Sequence, residues 1–595
     1  MANVRLGLFL GVVGCIGLGW WRDVPSLFAA AVILAAGFLV VVVRHRRLAN
    51  LRHRYDELWT INNEGLQRLR RDWNVLPLRR PASVPPEHPF AADLDLLGHA
   101  SLQHLLNTAH TPVGQVTLQD WLLNPAPPEV VRARQGVVAE LAHRIDFRDE
   151  LALRGREMGS LQSDYEAFLR WAEAPPWLVQ RRWLLWAARL LPLLALGSGV
   201  LWVTGWLSAP LWVLFIFANI IITLFAGSAV DAVIDQVATR QGAFRAYGRL
   251  FGLLLGTRFE AAGLKAAQTA LGEGPDAADW QMHRLQRIMI AADLRLWLLF
   301  AILQWTTLWT VHVLWLLERW QRASGVRARA WLDALGEVEA LAALATLDHD
   351  HPTWTFPEIA AAAPPFLIGW GLAHPLLKPG VVVANEVEVG PPGTFVLVTG
   401  SNMSGKSTLL RAIGVNIVLA QAGGPVNAFL LRMPPTTLAT SMRVQDSLEQ
   451  GVSYFLAELR RLKSVVDAAH HARVVGTCTL IFLLDEILHG TNTAERQIAA
   501  RSILRHLLDL EAMGAVSTHD LQLVDTPELL RACRPVHFRE IFHRGPDGPS
   551  MSFDYILRPG IAPTTNALKL MEIVGLPAIA PAIEPVASST KGPSH

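Results

Sequence analysis

Four strongly apolar stretches of this chain, each 16 to 21 residues long, carry no Asp, Glu, Lys or Arg: Leu6–Trp21, Val24–Val43, Leu190–Leu207 and Pro210–Val230. In a bilayer the backbone must satisfy its own hydrogen bonds, which leaves a stretch of this kind one solution, the helix. At about 1.5 Å per residue, Val24–Val43 covers roughly 30 Å, a full hydrocarbon core, while Leu6–Trp21 is slightly short. Arg22 and Asp23 alone separate the first two runs. Ser208 and Ala209 separate the second two, with Gly205, Ser208 and Pro210 supplying turn chemistry. The expectation is two helical hairpins. A cleaved secretory signal fits the first run poorly, because its n-region offers only Arg5, no small-x-small site follows, and a second span comes at once.

Composition agrees with this concentration of apolar residues. Hydrophobic residues make up 51% of the 595 and charged residues 17%, against a usual charged share of about 25%, which excludes a disordered or acidic-tail protein. Most of the 21 tryptophans fall before residue 332, as suits membrane interfaces and helical cores. Cys15, Cys478 and Cys533 are too scattered for a disulfide framework or a thiolate metal site. Arginines flank the hairpins on their long-segment sides: Arg44, Arg46 and Arg47, then Arg181, Arg182 and Arg189, then Arg240, Arg245 and Arg249. By the positive-inside rule those segments are cytoplasmic, in a bacterial-type inner membrane, and both hairpins dip outward and return. A fifth apolar run, Leu296–Leu317, carries Gln304, Thr306, Thr307, Thr310 and His312. Such side chains are disfavoured facing lipid, so it reads as a buried helix rather than a fifth span.

Residues 44–80 hold ten Arg against Asp56, Glu57, Glu64 and Asp72, a local +6 in a chain of net charge +2. Abutting the second run, this reads as a juxtamembrane helix for anionic lipid heads; a DNA-phosphate patch is the alternative.

Residues 394–410 carry a different instruction. Phe395-Val396-Leu397-Val398 is a short, fully apolar strand. Gly400-Ser401-Asn402-Met403-Ser404-Gly405-Lys406-Ser407 fits G-x-x-x-x-G-K-[ST], and Thr408 with Leu409 leads into a helix. Strand, glycine loop and helix are the context a phosphate loop requires. Glycines let backbone N–H groups curl around phosphates at a helix N-terminus. Lys406 is expected on the β- and γ-phosphates of ATP and Ser407 on Mg²⁺. About 80 residues on, the apolar strand Leu480–Leu484 ends in Asp485-Glu486, placing Asp485 for the Mg²⁺ shell and Glu486 for polarising the attacking water. A third apolar stretch ends in Ser517-Thr518-His519-Asp520, with His519 as the candidate sensor of the γ-phosphate. His349, Asp350 and His351 read as a polar turn rather than a metal site, and His470-His471 as helix surface.

TGSNMSGKST, LLDEILHGTNT and STHD, in this order and spacing, resemble the ATPase domain of the MutS family of mismatch-repair proteins, within the wider ABC-type ATPases. Between them, Asp446–Phe455 is similar to the segment in which a serine at a helix start completes the partner subunit's site. The resemblance gives that role to Ser453, acting in trans. Thr491 and Thr493, after Gly490, match a loop at the dimer seam, and Ala562–Pro577 resembles the family's dimerisation tail. Upstream, Asp93–Pro125 and Val130–Leu141 look like the start of the family's helical core, and Gly325–Leu347 with Ala373-His374-Pro375 like the return to the ATPase domain. Repair-type members begin with a mismatch-reading domain carrying a Phe-x-Glu wedge. Here the first 90 residues are filled by a hairpin and a basic helix. Phe356-Pro357-Glu358 and Phe538-Arg539-Glu540 fit that triplet only in or beside the ATPase region. The second hairpin stands where the family inserts its DNA clamp.

The expected architecture is therefore an α/β P-loop ATPase domain of ABC/MutS type, an all-α core and lever, and four transmembrane helices in two hairpins. Its parts are an N-terminal hairpin (1–47), a basic helix and linker (48–89), helical core (90–182), second hairpin (183–230), further core and lever (231–350), ATPase domain with dimerisation helices (351–585) and a disordered tail (586–595). The expected activity is Mg²⁺-dependent ATP hydrolysis at a composite homodimer site, with the ATPase domain facing the cytoplasm. Membrane lipids are expected partners, no metal other than Mg²⁺ is, and DNA binding is carried by the resemblance alone. The alternatives are an ATP-gated membrane scaffold without DNA and, further off, an ABC-type transporter, for which the Leu-Ser-Gly-Gly-Gln-like signature is missing.

Overall fold

The computed structural model describes residues 2–79, 87–158, 165–238, 241–296, 300–360, 365–442, 454–488, 493–545 and 548–562. The chain forms two compact units. One comprises residues 1–80, 106–120 and 136–349, the other 81–105, 121–135 and 350–595. Residues 90–182, expected as one block of helical core, thus divide between them.

The first unit is helical among its described residues. Helix Ala2–Arg22 turns at Asp23, whose φ is +51°, into Pro25–Arg70, a helix of 46 residues. Proline at the first turn starts the second helix without losing a hydrogen bond it needed. Arg71, at φ 57°, ends it, its N–H bonding the carbonyls of Arg68 and Gln67. The basic stretch is therefore not a separate element but the continuation of the apolar one. One of its arginines is neutralised from outside the stretch, Arg54 pairing with Glu150 at 2.6 Å, while Arg156 takes up two of the stretch's own carboxylates, Glu57 at 2.7 Å and Glu64 at 2.9 Å. Arg79 pairs with the same Glu64. Arg44, Arg46 and Arg47, next to the apolar run, remain exposed.

The second pair of apolar runs forms Arg182–Val203 and Trp212–Ala238, with Gly205 at φ 79° in the turn. Among the described residues, four helices, Asn3–Arg22, Pro25–Arg70, Leu178–Val203 and Trp212–Asp235, are long and apolar enough to cross a membrane, and the bent pair Ala278–Arg295 and Phe300–Thr307 is so only when taken together. The fifth run is not one helix. Phe300–Thr307 ends at Leu308, whose φ is +53°, and Trp309–Asp350 then continues for 42 residues. Gln304 is buried at the break, and His312 Nε2 lies 3.1 Å from the Ala188 carbonyl.

That long helix organises the unit's core. Trp320 stacks on Trp171 at 5.9 Å, and Gln321 Nε2 donates to the carbonyls of Trp171 and Ala174 at 2.6 and 2.7 Å. Farther along, the buried Glu339 carboxylate accepts from the N–H groups of His110 and Thr111 at 3.2 and 3.3 Å and from the Thr111 hydroxyl. These are unpaired donors at the start of helix Pro112–Leu123, so a carboxylate from a distant segment caps it. Burial raises the Glu339 pKa against those hydrogen bonds.

The second unit is α/β. Its strands are β1 (Glu358–Ile359), β2 (Leu367–Leu372), β3 (Asn385–Val389), β4 (Phe395–Thr399), β5 (Leu430–Met433), β6 (Thr436–Ser441), β7 (Thr479–Asp485), β8 (Met513–Ser517), β9 (Cys533–His537), β10 (Glu540–Gly545), β11 (Gly548–Phe553) and β12 (Arg558–Pro559). The main sheet has the order β12-β9-β4-β8-β7-β6, parallel except at β12. A second sheet runs β1-β5-β2-β3, and β10 and β11 form an antiparallel pair. All five residues of β4 are buried, as expected for a central parallel strand covered on both faces.

Residues 87–105 are built into this unit through Asp93. Its Oδ2 accepts from the Thr440 hydroxyl at 2.6 Å and the Met442 N–H at 3.2 Å, and lies 3.3 Å from Arg461 Nη2. Leu94, fully buried, packs so closely on Gly414 that a Cβ there would lie 2.5 Å from its Cδ2.

Candidate functional site

Parallel pairing brings the ends of β4, β7 and β8 to one level. Val398 is opposite Ser517, and Ser517 is opposite Asp485. In open parallel sheets ligands bind beyond the carboxyl ends of the strands, in the crevice between neighbours. Each motif read from the sequence ends there. Gly400, at φ 140°, opens the loop after β4; a Cβ on it would lie 2.8 Å from Ser404 Oγ. The loop closes at Gly405, and Lys406 begins the helix Lys406–Ala422.

Lys406 is 5% exposed. Its Nζ donates to the carbonyls of Gly400 and Ser401 at 3.2 and 2.9 Å, sits 3.1 Å from His519 Nε2, and lies 3.9 Å from Glu486 Oε1. Burial pushes the ammonium below its usual pKa, with Glu486, Asp485 and Glu540 acting in the opposite direction. His519 Nε2 is also 2.8 Å from Glu486 Oε1 and 2.7 Å from Asn402 Oδ1. One ring nitrogen thus faces an ammonium, a carboxylate and an amide oxygen. As an N–H it donates to the oxygens; as a bare nitrogen it accepts from Lys406, and it cannot do both.

Glu486 follows β7 in the left-handed region, φ 50°, its N–H bonded to the Ser517 carbonyl at 3.0 Å. A non-glycine residue held there costs of order 1 kcal/mol and persists where its surroundings demand it, commonly at functional sites. Asp485 is held differently: the Ser517 hydroxyl donates to its Oδ1. Asp520 caps the short helix Leu521–Val524 through the Gln522 N–H and accepts from Gln497 Nε2 at 2.7 Å.

Beside the loop lies a cavity of about 370 Å³. Asn402, Met403, Gly405, Lys406, Ser407, Thr408 and Glu486 line one side, and Leu377, Val381, Val382, Val383, Phe538 and Tyr555 the other. A polar end joined to an apolar wall suits a ligand with a charged chain and a flat apolar ring. The sequence reading missed that wall; the signal available was Val381-Val382-Val383 directly after Pro379-Gly380. It also missed Ser517 as the partner of Asp485. Asn385 ties the wall together, donating to the Tyr555 carbonyl at 3.1 Å and accepting from the Leu557 N–H at 2.7 Å. His374, also lining the cavity, accepts from the Leu376 N–H at 3.2 Å, and burial pushes its pKa down to about 4. Ser453, Gly490 and Thr491 lie outside the described residues, as does the expected dimerisation tail beyond Ala562.

The sequence from Val396, within β4, to residue 588 matches the MutS domain V family profile. This part of the chain is MutS-like. MutS domain V is an ATPase-type α/β domain, in keeping with the sheet and loop just described. Among curated proteins, the DNA mismatch repair protein MSH6 of Arabidopsis thaliana is 31% identical over 36% of this chain. The DNA mismatch repair protein MutS of Natronomonas pharaonis is 30% identical over 41% of the chain, and the endonuclease MutS2 of Thermomicrobium roseum 32% identical over 34%. These alignments cover 16%, 27% and 24% of the relatives' own lengths, so the chain spans well under a third of each.

Proposed function

We propose that the chain is a membrane-anchored MutS-like ATPase that hydrolyses ATP at a site completed by a second copy of itself. The observation that carries the reading is the convergence of Lys406, Glu486 and Asn402 on His519 Nε2 within hydrogen-bonding range at the mouth of the phosphate loop, with Lys406 and Glu486 3.9 Å apart. The loop itself fits a phosphate. Backbone N–H groups at a helix start favour anions, and the Ser404 hydroxyl is buried inside the loop without a partner among the described residues. Ser407 and Asp485 supply a hydroxyl and a carboxylate, the hard oxygen donors that suit Mg²⁺, and would hold it. When bound, that ion neutralises charge on the β- and γ-phosphates.

Lys406 brings its ammonium to the same phosphates. Glu486, its carboxylate already near His519, orients and polarises the attacking water. His519 reports whether a γ-phosphate is present by exchanging its partners among Lys406, Glu486 and Asn402. In this reading Ser453 of the second copy closes the site across the dimer, and the four apolar helices anchor the chain with the ATPase unit in the cytoplasm.

A second reading, an ATP-gated membrane scaffold without DNA, is favoured by the ion pairs of Arg54 with Glu150 and of Arg79 with Glu64, which leave fewer arginines of the basic stretch for phosphates. The test is Mg²⁺-dependent ATP turnover by the detergent-solubilised full chain and its Lys406→Ala variant, with homoduplex, mismatched and branched DNA over a salt series. Turnover lost in Lys406→Ala supports the site; turnover retained overturns it. Stimulation by DNA that falls steeply with salt indicates phosphate contacts, and indifference to every DNA favours the scaffold.

A further inference from the structure

We propose that residues 300–318 form a re-entrant membrane element, entering the bilayer to about mid-depth beside the second hairpin and leaving on the same side. This rests on the membrane-anchoring reading above. The register comes from hydrogen bonds to the hairpin's two helices. Gln304 Nε2 donates to Thr223 Oγ1 at 3.3 Å, and Asn219 Nδ2 donates to the Thr306 carbonyl at 3.4 Å. Counting back from Asp231, the first charge after the run Pro210–Val230, Thr223 and Asn219 lie roughly 12 and 18 Å inside at the helical rise. The chain therefore goes deeper from Gln304 to Thr306. It then comes back. His312 meets the Ala188 carbonyl at 3.1 Å, and the Arg189 guanidinium lies 5.1 Å from the centre of the Trp315 ring. Arg189 is the last charge before the run Leu190–Leu207. By Glu318, whose carboxylate accepts from the Leu178 N–H, the chain has passed the charged flank of the hairpin.

By itself Phe300–Thr307 is too short for a complete crossing: its eight residues cover about 12 Å of a core near 30 Å. A buried soluble helix is excluded by its outer face. Ile302 and Trp305 are 59% and 42% exposed, whereas Gln304 and Thr310 are 5% and 4% exposed. The apolar side chains continue the outward surface of the hairpin while the polar ones turn inward. In hydrocarbon a helix break must have its backbone satisfied by protein, and this one has. The Leu308 N–H donates to the Gln304 carbonyl at 2.8 Å, the Thr310 N–H donates to Gln304 Oε1 at 3.1 Å, and Gln304 Nε2 donates to Thr310 Oγ1 at 3.1 Å. The long helix Trp309–Asp350 thus starts within the bilayer rather than beside it.

The test uses the full chain, with Cys15, Cys478 and Cys533 replaced by Ser, in sealed vesicles of either orientation. Single cysteines at Ile302, Trp305, Ser208 and Val326 are probed with a membrane-impermeant maleimide, and ATP binding checks that each variant folds. Val326→Cys should label from the ATPase side only and Ser208→Cys from the opposite side only. Ile302→Cys and Trp305→Cys should stay unlabelled from both sides until detergent is added. Labelling of Ile302→Cys or Trp305→Cys from the ATPase side at the rate of Val326→Cys overturns the proposal, as does labelling of either from the opposite side. Labelling of Ser208→Cys from the ATPase side would instead overturn the anchoring reading itself.

Discussion

Removing the Asp93 carboxylate should loosen one edge of the ATPase unit without touching the phosphate loop. Asp93 is 1% exposed, and its Oδ2 holds the Thr440 hydroxyl at the end of β6, the Met442 N–H and Arg461. Breaking a buried ion pair by deleting one partner costs about 3–5 kcal/mol. The lower end applies here, because Arg461 also donates to the carbonyls of Thr440, His88 and Pro89 at 2.8 to 2.9 Å. A loss of about 3 kcal/mol in local stability corresponds to roughly hundredfold faster amide exchange where opening is local. In Asp93→Ala, hydrogen exchange in peptides covering Thr436–Ser441 and Tyr454–Val475 should accelerate by that factor, while peptides from Trp309–Asp350 should not change. Asp93→Asn keeps an acceptor but loses the charge, and should show about half the effect in free energy. Exchange in Thr436–Ser441 that stays within about threefold of the parent would refute the assignment of residues 87–105 to this unit.

Glu486→Gln keeps the shape of the side chain and removes its basicity, so the variant should bind ATP and accumulate it unhydrolysed; ordinary turnover would remove Glu486 from the catalytic set. Mixing Ser453→Arg chains with Lys406→Ala chains should restore part of the activity, since some hybrid sites would carry neither change; no recovery would argue against a site shared between copies. His374 is held neutral, with a folded pKa of about 4 against an ordinary value of 6.5. Its folded pKa lies below its unfolded one, so its contribution is complete above pH 6.5 and is lost as pH falls from there through 4. At 1.36 kcal/mol per unit that amounts to about 3 kcal/mol. Denaturation midpoints across this range should flatten in His374→Asn, and an unchanged slope would show that other groups set it.

The chemistry-bearing side chains were the legible part of this chain, because each sits at a strand end where local sequence is distinctive. Gly400 to Ser407 must be contiguous to curl around a phosphate, and Asp485-Glu486 must follow an apolar strand. The hairpins were legible for the same reason: an uncharged run is a local signal. What escaped was non-local. Asp93 is one carboxylate in an apolar loop, and its partner Thr440 lies 347 residues away. Arg54 meets Glu150 across 96 residues, so in the sequence that arginine looked fully available. The break at Leu308 carries neither glycine nor proline; it is set by Gln304 and Thr310 side chains closing on each other, which no periodicity records. The apolar wall formed by Tyr555 and Phe538 is likewise assembled from separate loops.

The unbroken helix Pro25–Arg70 ties its apolar first half to its ion-paired second half by phase as well as by distance. Each residue in a helix advances the azimuth by about 100° and the height by 1.5 Å. Arg54, Glu57 and Glu64 must meet Glu150, Arg156 and Arg79 on one side of that rod, while the apolar surface upstream packs on Ala2–Arg22. Inserting a single residue between Val43 and Arg54 would swing the two ends out of alignment by more than a quarter turn. Insertions of seven or eleven residues, close to two or three whole turns, would restore the azimuth and change only the height. Length variation in this segment should therefore come in quanta, and the distance between its apolar half and its ion-paired half can be lengthened only in steps.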